Sequence, residues 1–292
     1  MIRFDANGKA FYDVNDLYSV DIQRKLVKER GLDTDIVEKI KRGEFPRYLF
    51  KYRTIEECVN ILETSSLHFS TSSELRDPFE GKSVITCSDI SILRKRMEYK
   101  KQNQSYNTMP EPLKYALAEM MKGFPDEYII RMNEVAVNHL AENTGILCLT
   151  GKPDDICMWA YYADSHKGVC LKLDLLAQPD LFCPISHVAY DKKYHQIDLS
   201  NNSDEAFYTE LMLKKSDMWK YEDEFRVLAT HFSGNMPITN KNVINEIIFG
   251  YYTSDEDIKI IRQLAAANGF AGMAYSKIAL HPQSYLLEIN KI

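Results

Sequence analysis

Trp219-Lys-Tyr-Glu-Asp-Glu-Phe-Arg226 packs one of the chain's two tryptophans, a tyrosine, a phenylalanine, three carboxylates and two cations into eight residues. Aromatic side chains of this density imply burial, and a buried carboxylate requires a partner. The stretch lies where a helical pattern, about Asp204 to Met218, gives way to a strand, about Phe225 to Ala229. If the strand already begins at Glu222, then Glu222 and Glu224, two residues apart, point to one side beside Arg226. A surface ion-pair cluster closing a helix is the plainer reading of such a charged run. Which of the two holds depends on what the rest of the chain brings to it.

Upstream, residues 11 to 43 read as two helices: one capped by Asp16 and stopped at Gly31, the other opened by Asp33 and ended by Gly43. Residues 1–45 are accordingly expected to be a helical extension, followed by a single domain over 46–292. Tyr48 to Arg53 alternates as a strand does, Thr54-x-x-Glu57 is a capping box with Cys58, Ile61 and Leu62 as its apolar face, and Leu67 to Ser72 is a second strand. Asp77-Pro-Phe-Glu-Gly81 is a turn. A helical insertion is expected over about 89–143, including the basic run Arg94 to Lys101. Strands follow at Ile146 to Thr150, Gly168 to Asp174 and Val188 to Tyr190. Downstream of the opening stretch come a strand at Ile244 to Gly250, a helix at Ser254 to Asn268, and strands at Met273 to Ile278 and Tyr285 to Ile289. Strands and helices mix without regular βαβ alternation, so the fold class is α+β, with mixed or antiparallel central sheets and flanking helices.

The 292 residues carry a net charge of −6, which argues against coating nucleic acid wholesale. No apolar run approaches the ~18 residues of a membrane span, and Met1 to Gly8 has no signal-peptide pattern; a cytoplasmic protein is expected. The six cysteines are scattered without a Cys-x-x-Cys pair, which predicts reduced thiols and no structural zinc.

A second charged-aromatic cluster is Met158-Trp-Ala-Tyr-Tyr-Ala-Asp-Ser-His-Lys-Gly168. Trp159 and Tyr162 share a helix face, and His166 and Lys167 precede a strand. Rings that stack on a base beside cations that bind phosphate would suit a nucleotide; an equally simple reading makes Trp159 core and His166 part of a turn. The phosphate-binding and dinucleotide glycine motifs, His-Glu-x-x-His and Gly-x-Ser-x-Gly are all absent.

In this order, Phe50-Lys-Tyr-Arg53, Leu67-His-Phe-Ser70, Asp77-Pro-Phe-Glu80, Met158 to Gly168 and Lys215-x-x-x-Trp219-x-Tyr-Glu-x-Glu-Phe-Arg226 resemble a bacterial family catalogued as domain of unknown function 2971. Arg76 departs from the asparagine expected before Asp77, which bears on the geometry of that turn. A second resemblance is to ADP-ribosyltransferases. It implies that Arg53 holds the diphosphate of NAD, with Lys51 and Tyr52 beside it, and that Ser70, Thr71 and Ser72 brace the nicotinamide-ribose pocket. Glu222 and Glu224 match that family's Glu-x-Glu, with Glu224 catalytic and Glu222 its helper. Trp159, Tyr162 or Tyr221 would stack on nicotinamide, and His166, Lys167 and Arg226 would complete the site.

The resulting expectation is an NAD-consuming, ADP-ribosyltransferase-like enzyme, a toxin or defence effector acting on a protein or nucleic-acid acceptor. One alternative is a non-catalytic module that binds a nucleotide or phosphate ligand through Lys51, Arg53, His166 and Arg226. The other is a metal-dependent phosphodiesterase whose ion is gathered by Asp77, Glu80, Glu222 and Glu224.

Overall fold

The computed structural model describes residues 2–4, 10–12, 20–94, 123–193, 196–200, 211–230, 232–270 and 272–292. Its strands are β1 (Ile2–Phe4), β2 (Ala10–Tyr12), β3 (Tyr48–Arg53), β4 (Ser66–Phe69), β5 (Val84–Thr86), β6 (Thr144–Thr150), β7 (Val169–Asp174) and β8 (Ile185–His187), then β9 (Ala189–Asp191), β10 (Gln196–Asp198), β11 (Lys214–Ser216), β12 (Glu224–Thr230), β13 (Gly234–Pro237), β14 (Ile244–Phe249), β15 (Ala274–Leu280) and β16 (Leu287–Lys291). The helices are α1 (Val20–Glu29), α2 (Leu32–Lys41), α3 (Ile55–Thr64), α4 (Asp126–Glu142), α5 (Ile156–Tyr162) and α6 (Asp255–Ala267).

Eight strands form the central sheet in the order β16-β15-β14-β7-β3-β6-β12-β8. All neighbours are antiparallel except β14 and β15, which are parallel and joined through α6. The fold is therefore α+β. Strand alternation decides what each side carries. On β3, Leu49, Lys51 and Arg53 share one face, while Tyr48, Phe50 and Tyr52 share the other. Leu49 joins the main core with Leu147, Leu149, Leu171 and Leu173. Tyr52 lies in a second cluster with Met158 and Trp159.

α3 starts at the capping box expected from sequence, since the Thr54 hydroxyl accepts from Glu57 N and the Glu57 carboxylate accepts from Thr54 N. α6 begins at Ser254, whose hydroxyl accepts from Asp257 N.

Three expectations need correcting or completing. The segment before the opening stretch is not one helix: Lys214–Ser216 pairs with β9, and Asp217–Glu222 is a 3₁₀ turn capped by Ser216. Residues 201–210 of that expected helix lie outside the described ones. Glu222 closes the turn and Asp223 takes a left-handed φ of 44°, so the strand begins only at Glu224. The N-terminal segment carries a hairpin, β1 with β2, besides the two expected helices; the expected cap Asp16 lies outside the described residues. α1 and α2 pack on the main body, where Val27 and Ile36 meet Cys183. Of the expected helical insertion, α4 is described and residues 95–122, with most of the basic run, are not.

The sheet is discontinuous at one place. β3 and β6 share a single residue pair, Phe50 with Thr150. Four residues along, β6 has changed partner, and Ile146 pairs with Ser70 just beyond β4. Cys148 sits between these two partners. Its carbonyl accepts from the Lys51 ammonium at 2.9 Å, so a side chain satisfies a group the ladder leaves open.

Candidate functional site

A cleft of about 600 Å³ opens at this discontinuity. Its volume lies in the range of small-molecule sites, roughly 300–1,000 Å³. Phe50 to Arg53 line its β3 side. Glu222, Glu224 and Arg226 line the other side with Lys215, Ser66 and His68 contribute from β4 with Ser70 just beyond it, and Leu75, Arg76, Asp77 and Glu80 come from the turn.

The β12 side is a closed network. Arg226 is fully buried, and all five of its N–H groups are engaged. Its Nε donates to Glu224 at 2.8 Å, Nη1 donates to Glu80 and to the Met212 carbonyl, and Nη2 donates to Glu80 and Glu224. Lys215 donates to Glu222 at 2.6 Å and to Glu224 at 3.1 Å, lies 3.6 Å from Glu80, and sits 5.0 Å over the Trp219 ring. Tyr162 donates its hydroxyl to the remaining Glu222 oxygen at 2.6 Å. Asp-Pro-Phe-Glu is thereby tied to β12 through Glu80.

Electrostatics separates the two carboxylates. Burial alone would raise the Glu224 carboxyl, but Arg226 and Lys215 outweigh it and hold the group down to about 2. Burial also raises Glu222; Lys215 opposes this, repulsion from Glu224 adds to it, and the group lies above the ordinary carboxylate value. Burial lowers Lys215, yet Glu224 and Glu222 raise it beyond the ordinary lysine value. Glu224 is thus a fixed anion, and Glu222 is the carboxylate closer to exchanging a proton.

The β3 side differs. Lys51 is buried, and burial followed by repulsion from Arg53 lowers its ammonium to about 7. Arg53 donates to the Tyr52 carbonyl at 3.3 Å and lies 3.8 Å from Glu57. Arg76 stands at the mouth, donating to the Tyr161 carbonyl and lying 4.9 Å from the Tyr162 ring. The arginine leaves the following turn formed: Asp77 accepts from Phe79 N at 2.9 Å, and Glu80 N donates to the Asp77 carbonyl.

Of the residues singled out from sequence, the cleft brings together Lys51, Tyr52, Arg53, Ser70, Tyr162, Glu222, Glu224 and Arg226. It does not include Thr71, Ser72, Trp159, His166, Lys167 or Tyr221. Thr71 and Ser72 open a 3₁₀ turn in which Glu74 accepts from Thr71 N. Trp159 is a core residue. It is fully buried, donates its indole N–H to the Pro153 carbonyl and meets the Tyr52 ring edge-on at 5.0 Å.

His166 lies parallel to Trp159 at 6.5 Å, at the end of three consecutive left-handed residues, Asp164, Ser165 and His166. The Lys167 carbonyl accepts from Thr253 Oγ1, and Tyr221 packs beside Trp219. Apart from Met158 and Tyr162, which line the cleft, the 158–168 cluster supports β3: Gly168 lies so near the Arg53 carbonyl that an added Cβ would overlap it.

Lys215 joins the site although it lies within the stretch expected to be helical, because it stands on β11. Glu80, expected in a turn and in one alternative as a metal-gathering carboxylate, pairs with Arg226. Asn60 and Asn235, which also line the cleft, carry no sequence signal, and His68 lies within the Leu67-His-Phe-Ser70 motif without having been given a role. Among the described residues no group of three or more His, Cys, Asp or Glu side chains could hold a metal ion. Glu80, Glu222 and Glu224 do converge, but around Lys215 and Arg226. No helix among the described residues is long and apolar enough to cross a membrane.

Neither a curated protein nor a solved structure matches the chain. Residues 158–227, from the Trp159 cluster through the Glu-x-Glu-Phe-Arg segment of β12, match the model of a family described as Protein of unknown function (DUF2971).

Proposed function

We propose that this cleft binds NAD by its diphosphate and acts as an ADP-ribosyltransferase-like enzyme. One observation carries the reading: the break between β3 and β6 sets Lys51 and Arg53 on one side of a cleft whose other side holds Glu222 and Glu224. Arginine and lysine bind phosphate oxygens. A fixed carboxylate stabilises the oxocarbenium character that develops as the nicotinamide–ribose bond breaks.

The roles of the two glutamates are exchanged relative to the sequence expectation. Glu224 has both oxygens engaged by Arg226 and one shared with Lys215, so its part is to hold the network. Glu222, positioned by Tyr162 and Lys215, is the carboxylate proposed to face the ribose. The acceptor would be a protein or nucleic acid.

Nicotinamide release from NAD by the full chain tests this. Glu222→Gln is expected to lower the rate on the order of 10²- to 10³-fold, the scale of losing one preorganised electrostatic group, and Arg53→Ala to weaken NAD binding. Absence of both turnover and NAD binding in the wild type would sink the proposal. The closure of the Arg226 network favours a second reading, a non-catalytic nucleotide-binding module. That reading gains if NAD binds without turnover and Glu222→Gln leaves the affinity intact.

A further inference from the structure

Three buried cations border the cleft: Lys51, Lys215 and Arg226. Lys215 and Arg226 each lie within ion-pair distance of two or more carboxylates. Lys51 has no ion pair among the described residues, and its ammonium meets only the Cys148 carbonyl. The groups that act on it from neighbouring elements are Arg53 on β3, Glu57 on α3, Cys148 on β6 and Glu224 on β12.

None is a spare counter-ion. Arg53 repels it, and burial keeps the Cys148 thiol protonated. Glu57 is occupied by the Thr54 N–H and lies beside Arg53, while Glu224 is held by Arg226 and Lys215. A buried ammonium without a partner is costly, and the lysine sheds its proton near neutrality instead.

We propose that the ligand is the missing counter-ion of Lys51: a phosphate seated between Lys51 and Arg53 supplies the charge partner that this buried side chain lacks, and its binding is coupled to proton uptake by Lys51. This rests on the reading that the cleft takes an anionic nucleotide and adds how it takes it. The anion raises the affinity of Lys51 for a proton, and by linkage the proton raises the affinity for the anion. Binding is therefore strongest below neutral pH and weakens as the pH rises through the range in which free Lys51 is uncharged.

Calorimetric titration with ADP-ribose, in buffers of different protonation enthalpy, reads the proton directly. The charge of this probe is constant between about pH 6 and about pH 9. Wild type is expected to take up on the order of one proton per ligand at about pH 8 and close to none at about pH 6, with affinity falling by up to ~10-fold per pH unit above neutrality. Lys51→Met should bind on the order of tenfold more weakly, with no uptake and no pH dependence in this range. Lys51→Arg, permanently charged, should bind without uptake.

The proposal is overturned if wild type binds with no uptake at about pH 8, if Lys51→Arg takes up the same proton, or if wild type binds neither ADP-ribose nor sulfate. Proton-coupled binding without nicotinamide release would leave this inference standing and remove the enzymatic one.

Discussion

On β12, Arg226 commits every N–H to Glu80, Glu224 and the Met212 carbonyl, and Lys215 bridges Glu222 and Glu224. On β3, across the same cleft, Lys51 and Arg53 stand two residues apart; Arg53 lies 3.8 Å from Glu57, and Lys51 has no ion pair among the described residues. Both sides bury cations, and only one supplies their counter-charges. A buried ion pair that is complete contributes to a unique arrangement and is costly to break. A buried cation left incomplete lowers the stability of the free protein and gives an anion something to bind. The same residue types thus form a closed scaffold on one side and, on the reading proposed above, would serve as receptor on the other.

The largest effect should come from breaking the complete side. Arg226→Ala strands Glu80 and Glu224 without their fork and is expected to destabilise the fold by about 3–5 kcal/mol in denaturant unfolding. The effect should shrink in acid. The carboxyl of Glu224 lies near 2 in the folded state, below its unfolded value, so its stabilisation is complete above about pH 4.5 and is lost as pH falls towards about 2. A loss under about 1 kcal/mol at neutral pH would show that the network does not bear charge as described.

The support behind the receptor side comes next. Gly168→Ala pushes a methyl group into the Arg53 carbonyl, and backbone cannot yield as a flexible side chain can. Overpacking of this kind costs about 1–3 kcal/mol, and ADP-ribose affinity should fall with it because Arg53 moves. Unchanged affinity would mean that Arg53 is not the anchor.

The smallest effect runs in the opposite direction. Lys51→Met should stabilise the free protein at about pH 6 by roughly 1–2 kcal/mol, since it removes an ammonium that burial penalises and loses one hydrogen bond to Cys148. Because Lys51 is lowered from 10.5 to about 7, wild-type stability should rise with pH across that window, and the advantage of the variant should fade over it. A variant that is less stable at every pH would put Lys51 among the scaffold residues.

Much of the architecture was legible in the sequence because local rules set it. Alternation marked β3 and β7, Thr54 and Ser254 marked the starts of α3 and α6, and glycines at positions 31 and 43 followed the two N-terminal helices. What escaped was non-local. Lys214–Ser216 is a strand because β9 pairs with it, and nothing within Lys-Lys-Ser announces that.

The site was half legible for the same reason. Glu222, Glu224 and Arg226 lie close in sequence and converge, whereas Glu80 reaches Arg226 from 146 residues away. Of the two readings open for Trp159, cleft wall or core, the structure has the core. On the short helix α5 this residue turns inward beneath β3, and Tyr162, three residues on, reaches Glu222.

The lone pairing of Phe50 with Thr150 also sets the mechanical character of the sheet. Eight strands are continuous in topology, but every other boundary is held by a run of paired residues and this one by a single pair plus a lysine that reaches over. The hydrogen-bond ladder therefore has a seam here, with β16-β15-β14-β7-β3 on one side and β6-β12-β8 on the other, while the main core runs across it from Leu49 to Leu147 and Leu149. A ligand bound as proposed would touch strands on both sides of that seam, since Lys51 and Arg53 line the cleft from one and Glu224 and Arg226 from the other.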